Sequence, residues 1–280
     1  MNIARVRGNK HTLRNKITPF RRPPPIDNME IAMKMPIYDS SFYSLEGPGN
    51  SLSSAKVVVP LVNSMLQPES VVDVGCGSGV WLSVFRDYGV KRVLGIEGSH
   101  VDANWLRIPK DHIRFIDLCR SFELQETFDL ALCLEVAEHL PAKSAPDLIQ
   151  SLVRLAPIIL FSAAVPLQGG LYHINEQWPT YWRQLFQEHH FQMLDLIRKE
   201  IWKDPRVKSW YRQNMFLLVR SDLIPTRAIF RQAENFADDL LLIHSDILER
   251  QLGLRSIVKN LPRSMRRATR YFTQRLRKSS

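Results

Sequence analysis

The run VVDVGCGSGVW, Val71 to Trp81, constrains this chain more than any other feature. An apolar strand leads into glycines at 75, 77 and 79, and apolar residues at helical spacing follow. A strand that turns this sharply into a helix needs backbone without Cβ bulk. A ligand lying across such a turn also needs close approach to its peptide groups. The spacing is informative as well. A nicotinamide fingerprint puts its third glycine at position 80, where this chain has Val80, so hydride transfer is disfavoured.

Short apolar runs alternate with helical patterns on both sides of that turn. Strands are predicted at Ser70 to Val74, Arg92 to Ile96, Ile113 to Ile116, Phe128 to Cys133, Pro157 to Phe161, Phe191 to Leu194 and Met215 to Val219. Helices are predicted at Leu52 to Leu66, Val80 to Tyr88, Val101 to Leu106, Ser144 to Leu155 and Pro179 to His189, and a long one over residues 226 to 252. This order means βαβ units and a mostly parallel α/β sheet covered on both faces, with the last two strands joined by a loop around Lys203 to Tyr211 and able to pair as an antiparallel hairpin. The expected organisation is a basic, proline-containing extension over residues 1–45, a catalytic domain over 46–221 and a helical, basic extension over 222–280.

Charge takes its meaning from its position. Residues 1–26 hold seven Lys/Arg and residues 251–280 hold nine, with no acid in either tail. The remaining 22 basic residues face all 28 acids, so the body carries a net charge of −6 although the whole chain is +10. An acidic body argues against a nucleic-acid groove. The basic stripe of the last segment, with Met265, Ala268, Phe272 and Leu276 on one side, reads as a short amphipathic helix suited to an anionic membrane surface. No apolar run approaches the length of a membrane span, the N-terminus lacks the features of a secretory signal, and Cys76, Cys119 and Cys133 show no metal-ligand spacing. The expected location is the cytoplasm, and the basic tails read either as solvated arms or, at the C-terminus, as an attachment to the inner membrane surface.

Two acids follow the glycine turn at the ends of the next strands. Glu97, 22 residues after Gly75, can accept two hydrogen bonds from a ribose diol, and Asp117 can accept one from the exocyclic amine of adenine. Ligands of open α/β sheets bind at these strand ends, so the turn, Glu97 and Asp117 converge on one crevice. In these residues, and in FDLALCLEVAEHLP from Phe128 to Pro141, the chain resembles the class I S-adenosylmethionine-dependent methyltransferases. The resemblance implies a Rossmann-like fold with a seven-stranded, mostly parallel sheet whose last strand is antiparallel, helices on both faces and additional C-terminal helices. It implies S-adenosylmethionine as cofactor, leaving as S-adenosylhomocysteine. The implied cofactor-binding residues are Asp73, Gly75, Cys76, Gly77, Gly79, Trp81, Glu97, Gly98, Asp117, Leu118, Glu135 and Val136. FSAAVPLQGG (161–170), YHINEQWPTYWRQLF (172–186) and WYRQN (210–214) resemble a bacterial group of such enzymes, often associated with glycan or secondary-metabolite genes.

Several polar residues outside the cofactor motifs stay open between structural and chemical roles. Glu135, Glu138 and His139 order a loop beside the cofactor, or act on the acceptor, or bind metal. The third reading rests on the likeness of ExxEH to the metal motif of small-RNA 2′-O-methyltransferases, with His173 as a fourth ligand. His173, Asn175, Glu176, Gln177 and Trp178 either cap the helix that starts at Pro179 or line an acceptor site. The catalytic candidates are His139, His173 and Glu176, and no metal is assigned. The expected reaction is in-line methyl transfer to an oxygen or nitrogen of a small-molecule, sugar or glycan acceptor, with a histidine as base if that group is a hydroxyl. The rival readings are a metal-dependent RNA 2′-O-methyltransferase and a non-catalytic, cofactor-binding assembly or regulatory protein.

Overall fold

The computed structural model describes residues 51–98, 103–233 and 242–252. The N-terminal extension and the basic segment beyond residue 252 lie outside the described residues, and with them the amphipathic stripe from Met265 to Leu276. In chain order the elements are α1 (Leu52–Leu66), β1 (Ser70–Val74), α2 (Val80–Asp87), β2 (Arg92–Glu97), β3 (Ile113–Phe115), β4 (Leu130–Leu134) and α3 (Ala145–Leu155). Then follow β5 (Ile158–Ser162), α4 (Pro179–Gln187), β6 (Phe191–Leu194), α5 (Arg198–Ile201), α6 (Ser209–Asn214), β7 (Phe216–Arg220), α7 (Ala228–Ala233) and α8 (Ser245–Leu252).

The strands form one seven-stranded sheet in the order β3-β2-β1-β4-β5-β7-β6. β7 runs antiparallel to both β5 and β6, and the other pairs are parallel. This is the Rossmann-like arrangement that the resemblance implies, with the last strand antiparallel. Alternation of side chains across the sheet divides the core in two. Val71, Leu130, Leu132, Leu160, Leu217 and Val219 face α1 and α2, while Val72, Val74, Ala131, Cys133, Ile159, Phe161 and Leu218 face α3 and α4. Every residue of β1, β4 and β5 is buried, which explains why these strands read as continuous apolar runs.

Three segments depart from expectation. Within the helix expected at Val101 to Leu106, the described part is a single 3-10 turn at Ala103–Trp105. Pro109 follows closely, and the Arg107 amide turns back to the Ser78 carbonyl (2.7 Å), so the chain cannot continue as a helix. The loop expected between β6 and β7 contains the short helices α5 and α6. The long helix expected over 226–252 is represented by α7 and α8. A fresh start at Ser245 is fixed where the His244 ring accepts from the Asp246 amide (3.2 Å), and residues 234–241 lie outside the described part. Among the described residues, no helix is long and apolar enough to cross a membrane.

One buried ion pair anchors the C-terminal half. Arg198 donates to both Asp195 oxygens (3.0 and 2.5 Å) and to the Gln213 carbonyl (3.3 Å), with its guanidinium 4.3 Å from the centre of the Phe216 ring. It thereby holds α5, α6 and β7 together, and α6 carries two residues of the crevice described below. Removing one partner of such a pair strands a buried charge. Arg198→Ala should lose roughly 3 to 5 kcal/mol of stability in denaturant unfolding; a loss under about 1 kcal/mol would show that the pair does not anchor this region.

Candidate functional site

β1, β2 and β4 end along one edge of the sheet, and a crevice of about 370 Å³ opens there. One wall is the turn from β1 to α2. Gly75, Gly77 and Gly79 all have positive φ (79°, 53° and 76°), which a Cβ would oppose. A Cβ on Gly75 would also stand 2.3 Å from Cγ2 of Val136, so the turn packs directly on the loop after β4.

Glu97, at the end of β2, is buried and holds this wall in place. Its two oxygens accept from the amides of Gly77 and Gly98, both at 2.7 Å. Asp73, at the end of β1, is 2% exposed, and its Oδ2 has no hydrogen-bond partner. Burial, with the charge of Glu97 added, pushes its carboxyl from 3.8 up to about 7. Cys76 lines the same wall, and burial together with Glu97 and Asp73 pushes its thiol well up, so it is no nucleophile.

The second half of the crevice is built by the loop after β4 and the loop after β5. Glu135 follows β4 directly, at φ 56°. Its oxygens accept from Gln168 Nε2 (2.9 Å) and Asn214 Nδ2 (3.2 Å), and Asn214 also donates to Gln168 Oε1 (2.8 Å). The Glu138 carbonyl accepts from the amides of Ile174 and Asn175, which ties the two loops together and brings His139 and His173 edge to face at 4.9 Å. His173 Nδ1 lies 2.9 Å from Glu176, whose carboxylate also accepts from the Leu167 and Gly169 amides (both 2.9 Å). Burial raises the Glu176 carboxyl, but the His173 ring and those amides outweigh it and leave the group below its ordinary range. Such an orienting carboxylate is what a histidine base requires. Trp81, Trp210 and Tyr211 complete the lining, with Tyr211 bonded to Ser51 (2.7 Å).

Of the residues singled out in the sequence, Asp73, Gly75, Cys76, Gly77, Trp81, Glu97, Leu118, Glu135, Val136, Glu138, His139 and His173 line this one crevice. Gly79 lies behind it against Ile108, Gly98 braces Glu97 and Glu176 braces His173. Asp117 is placed apart. It is exposed, accepts from the Cys119 amide (2.9 Å) and faces Arg120 at 3.8 Å, while the next residue, Leu118, enters the crevice. Trp178 occupies the cap position of α4 but makes no side-chain cap bond there. Sequence reasoning missed Gln168, which lies in a segment read only as a resemblance; it left Trp210, Tyr211, Gln213 and Asn214 open between this pocket and edge-strand packing, and Trp210 and Tyr211 line the crevice from α6 rather than from a loop.

The site fits S-adenosylmethionine on its own terms. The cofactor's cationic sulfonium and ammonium suit the orphaned Asp73 carboxylate, its ribose suits Glu97, and its amino-acid end suits the close backbone approach that the glycines permit. Glu138, His139 and His173 also bring one potential metal-ligand atom each within 4.8 Å of one another. Both Glu138 oxygens are buried without hydrogen-bond partners, and burial and the neighbouring Glu135 push this carboxyl well above its ordinary value.

Asp73 makes folding stability depend on pH with a definite sign. Its folded-state value lies above 3.8, so the unfolded chain ionises first as pH rises, and the group's contribution falls between pH 3.8 and about 7. Asp73→Asn should therefore match the parent near the low end of that window. Above it the variant should be more stable by a few kcal/mol, since each tenfold change in proton affinity is worth about 1.4 kcal/mol. Thermal unfolding of the ligand-free protein across pH measures this, and equal profiles would remove the assignment.

Comparison with known proteins places these features in context. The model of a family described as a methyltransferase domain matches residues 55–198. Among curated proteins, none matches the chain. Solved structures that align with it include the methyltransferase domain of bacterial CtHen1, at 16% identity and a TM-score of 0.43, over 61% of this chain and 98% of that one. Magnesium protoporphyrin IX methyltransferase from Synechocystis PCC 6803, with bound SAM, aligns at 18% identity and 0.44, over 61% and 81%. CalS10, an amino pentose methyltransferase from Micromonospora echinaspora, aligns at 16% and 0.44, over 62% and 93%. The family match spans just over half of the sequence, and the chain belongs to this methyltransferase family.

Proposed function

We propose that the protein transfers the methyl group of S-adenosylmethionine to an oxygen or nitrogen nucleophile of a sugar, glycan or other small-molecule acceptor. The observation that carries this reading is the division of one crevice into two halves. The glycine turn, Asp73 and Glu97 form the half that suits the cofactor, and Glu135, His139, His173, Gln168 and the aromatic residues of α2 and α6 form the half left for an acceptor.

The cofactor supplies an electrophilic methyl carbon whose displacement needs no covalent enzyme intermediate. The chain's own work is then alignment and proton removal. His173, turned by Glu176, accepts the acceptor's proton, and its edge contact with His139 keeps both rings at the crevice wall. Glu135, gripped by Gln168 and Asn214, presents a fixed carboxylate to the acceptor. Trp81, Trp210 and Tyr211 offer faces for the apolar side of a sugar or similar ring.

A second reading has one observation in its favour: the Glu138, His139 and His173 cluster could hold a divalent ion that activates a hydroxyl. Elemental analysis of the purified protein separates the two readings, since a stoichiometric ion supports the second and its absence supports the histidine base.

The test of function is methyl transfer from radiolabelled S-adenosylmethionine to a fractionated small-molecule and glycan extract. Label should appear in an acceptor fraction, and His173→Ala should cut that transfer by about a hundredfold with cofactor affinity nearly unchanged. Equal loss of cofactor binding in the variant would assign His173 a structural role instead. Absence of transfer from every fraction by cofactor-saturated protein would count against the proposed acceptors.

A further inference from the structure

The side chains of the crevice carry an uneven balance of charge. Four acidic side chains line it, and among the described residues no lysine or arginine does; burial and a neighbouring carboxylate push Asp73 and Glu138 toward the protonated form, and Glu97 and Glu135 are the other two. The histidines are its remaining basic groups, and His173 is already committed to Glu176. The cofactor itself brings two positive groups and one carboxylate, a net charge of one, and it occupies the half built by Asp73 and Glu97. With the cofactor in place, Glu135 is left in the acceptor half with no lysine or arginine among the described residues beside it.

Glu135 makes this imbalance specific. Both of its oxygens are held by neutral amides of Gln168 and Asn214, which fix the carboxylate without neutralising it. Glu135 is half-buried, and a carboxylate partly withdrawn from water without a cationic side chain beside it gains from a bound cation. A phosphate or phosphodiester brought to the same place would meet repulsion with no lysine or arginine of the described lining to offset it. A neutral hydroxyl would satisfy a lone pair but leave the charge.

Resting on the reading of this crevice as a methyl-transfer site, we propose that its acceptor is an amine. The Glu135 carboxylate, held by neutral amides in a crevice that no lysine or arginine among the described residues lines, selects a primary or secondary ammonium, with Glu135 as the residue that binds it, and rejects acceptors carrying phosphate near the reacting atom. The ammonium gives one proton to a crevice histidine. The freed lone pair then bonds to the methyl carbon while the carbon–sulfur bonding pair stays on sulfur. An N-methylammonium and a thioether leave, and the histidine returns its proton to solvent.

The experiment is calorimetric titration of the full chain, saturated with S-adenosylhomocysteine, in buffer containing a chelator and near neutral pH. The probes are D-glucosamine, N-acetyl-D-glucosamine and D-glucose 6-phosphate, which share a sugar ring and differ in charge. Glucosamine should bind about tenfold tighter than the neutral sugar, with the phosphate weakest, the usual scale of a charge-assisted hydrogen bond. Glu135→Gln should reduce that preference for the amine over its N-acetyl form to about unity. A ratio of two affinities in one protein does not depend on how well the variant folds. Equal or tighter binding of the neutral or phosphorylated sugar overturns the proposal, as does failure of glucosamine to bind the loaded protein. Failure of S-adenosylhomocysteine itself to bind would instead strike the methyl-transfer reading, so the two outcomes stay separate.

Discussion

The grip of Glu97 on the amides of Gly77 and Gly98 is the interaction on which the site depends. One buried carboxylate at the end of β2 spans the turn that leaves β1, and so sets the position of the backbone on which a cofactor would lie. That turn can exist only because Gly75, Gly77 and Gly79 accept positive φ, and Gly75 also leaves room for Val136 of the neighbouring loop. Strand register does the rest, since Asp73 pairs with Gly95 on one side and Leu132 on the other, which carries the ends of β1, β2 and β4 to the same edge.

The chain concentrates carboxyl groups at this edge at a cost to its own stability. Asp73 lacks a partner for Oδ2, and Glu138 lacks one for either oxygen. Both are pushed toward the protonated form by burial and by a neighbouring carboxylate. Perturbed carboxyls gathered in a crevice are the signature of a functional site, where the structure accepts a local penalty that a ligand relieves. The surrounding sheet tolerates this because its two cores are closed on both faces and the buried Arg198 and Asp195 pair secures the far side.

Much of this was legible in the sequence, for physical reasons. Central strands such as Ser70 to Val74 are buried on both faces and so read as plain apolar runs, and a glycine turn with an acid at the next strand end can be recognised from spacing alone. Side-chain direction is less accessible. Asp117 stands at a strand end, as its position suggested, yet its carboxylate serves the Cys119 amide and only Leu118 reaches the crevice. Gln168 and Asn214 meet at Glu135 across 33 and 79 residues of separation, which no local pattern encodes. Short helices such as α6 were read as loop because six residues give too little periodicity to register.

The central claim is that the crevice at the ends of β1, β2 and β4 binds S-adenosylmethionine through Glu97 and the glycine turn. Isothermal titration of the purified chain with S-adenosylmethionine, beside a Glu97→Ala variant whose folding is checked by circular dichroism, tests it directly. The parent should show a single site in the micromolar range, with affinity weakened by about a hundredfold or more in the variant. Absence of binding by well-folded parent protein, or undiminished binding by the variant, would contradict it.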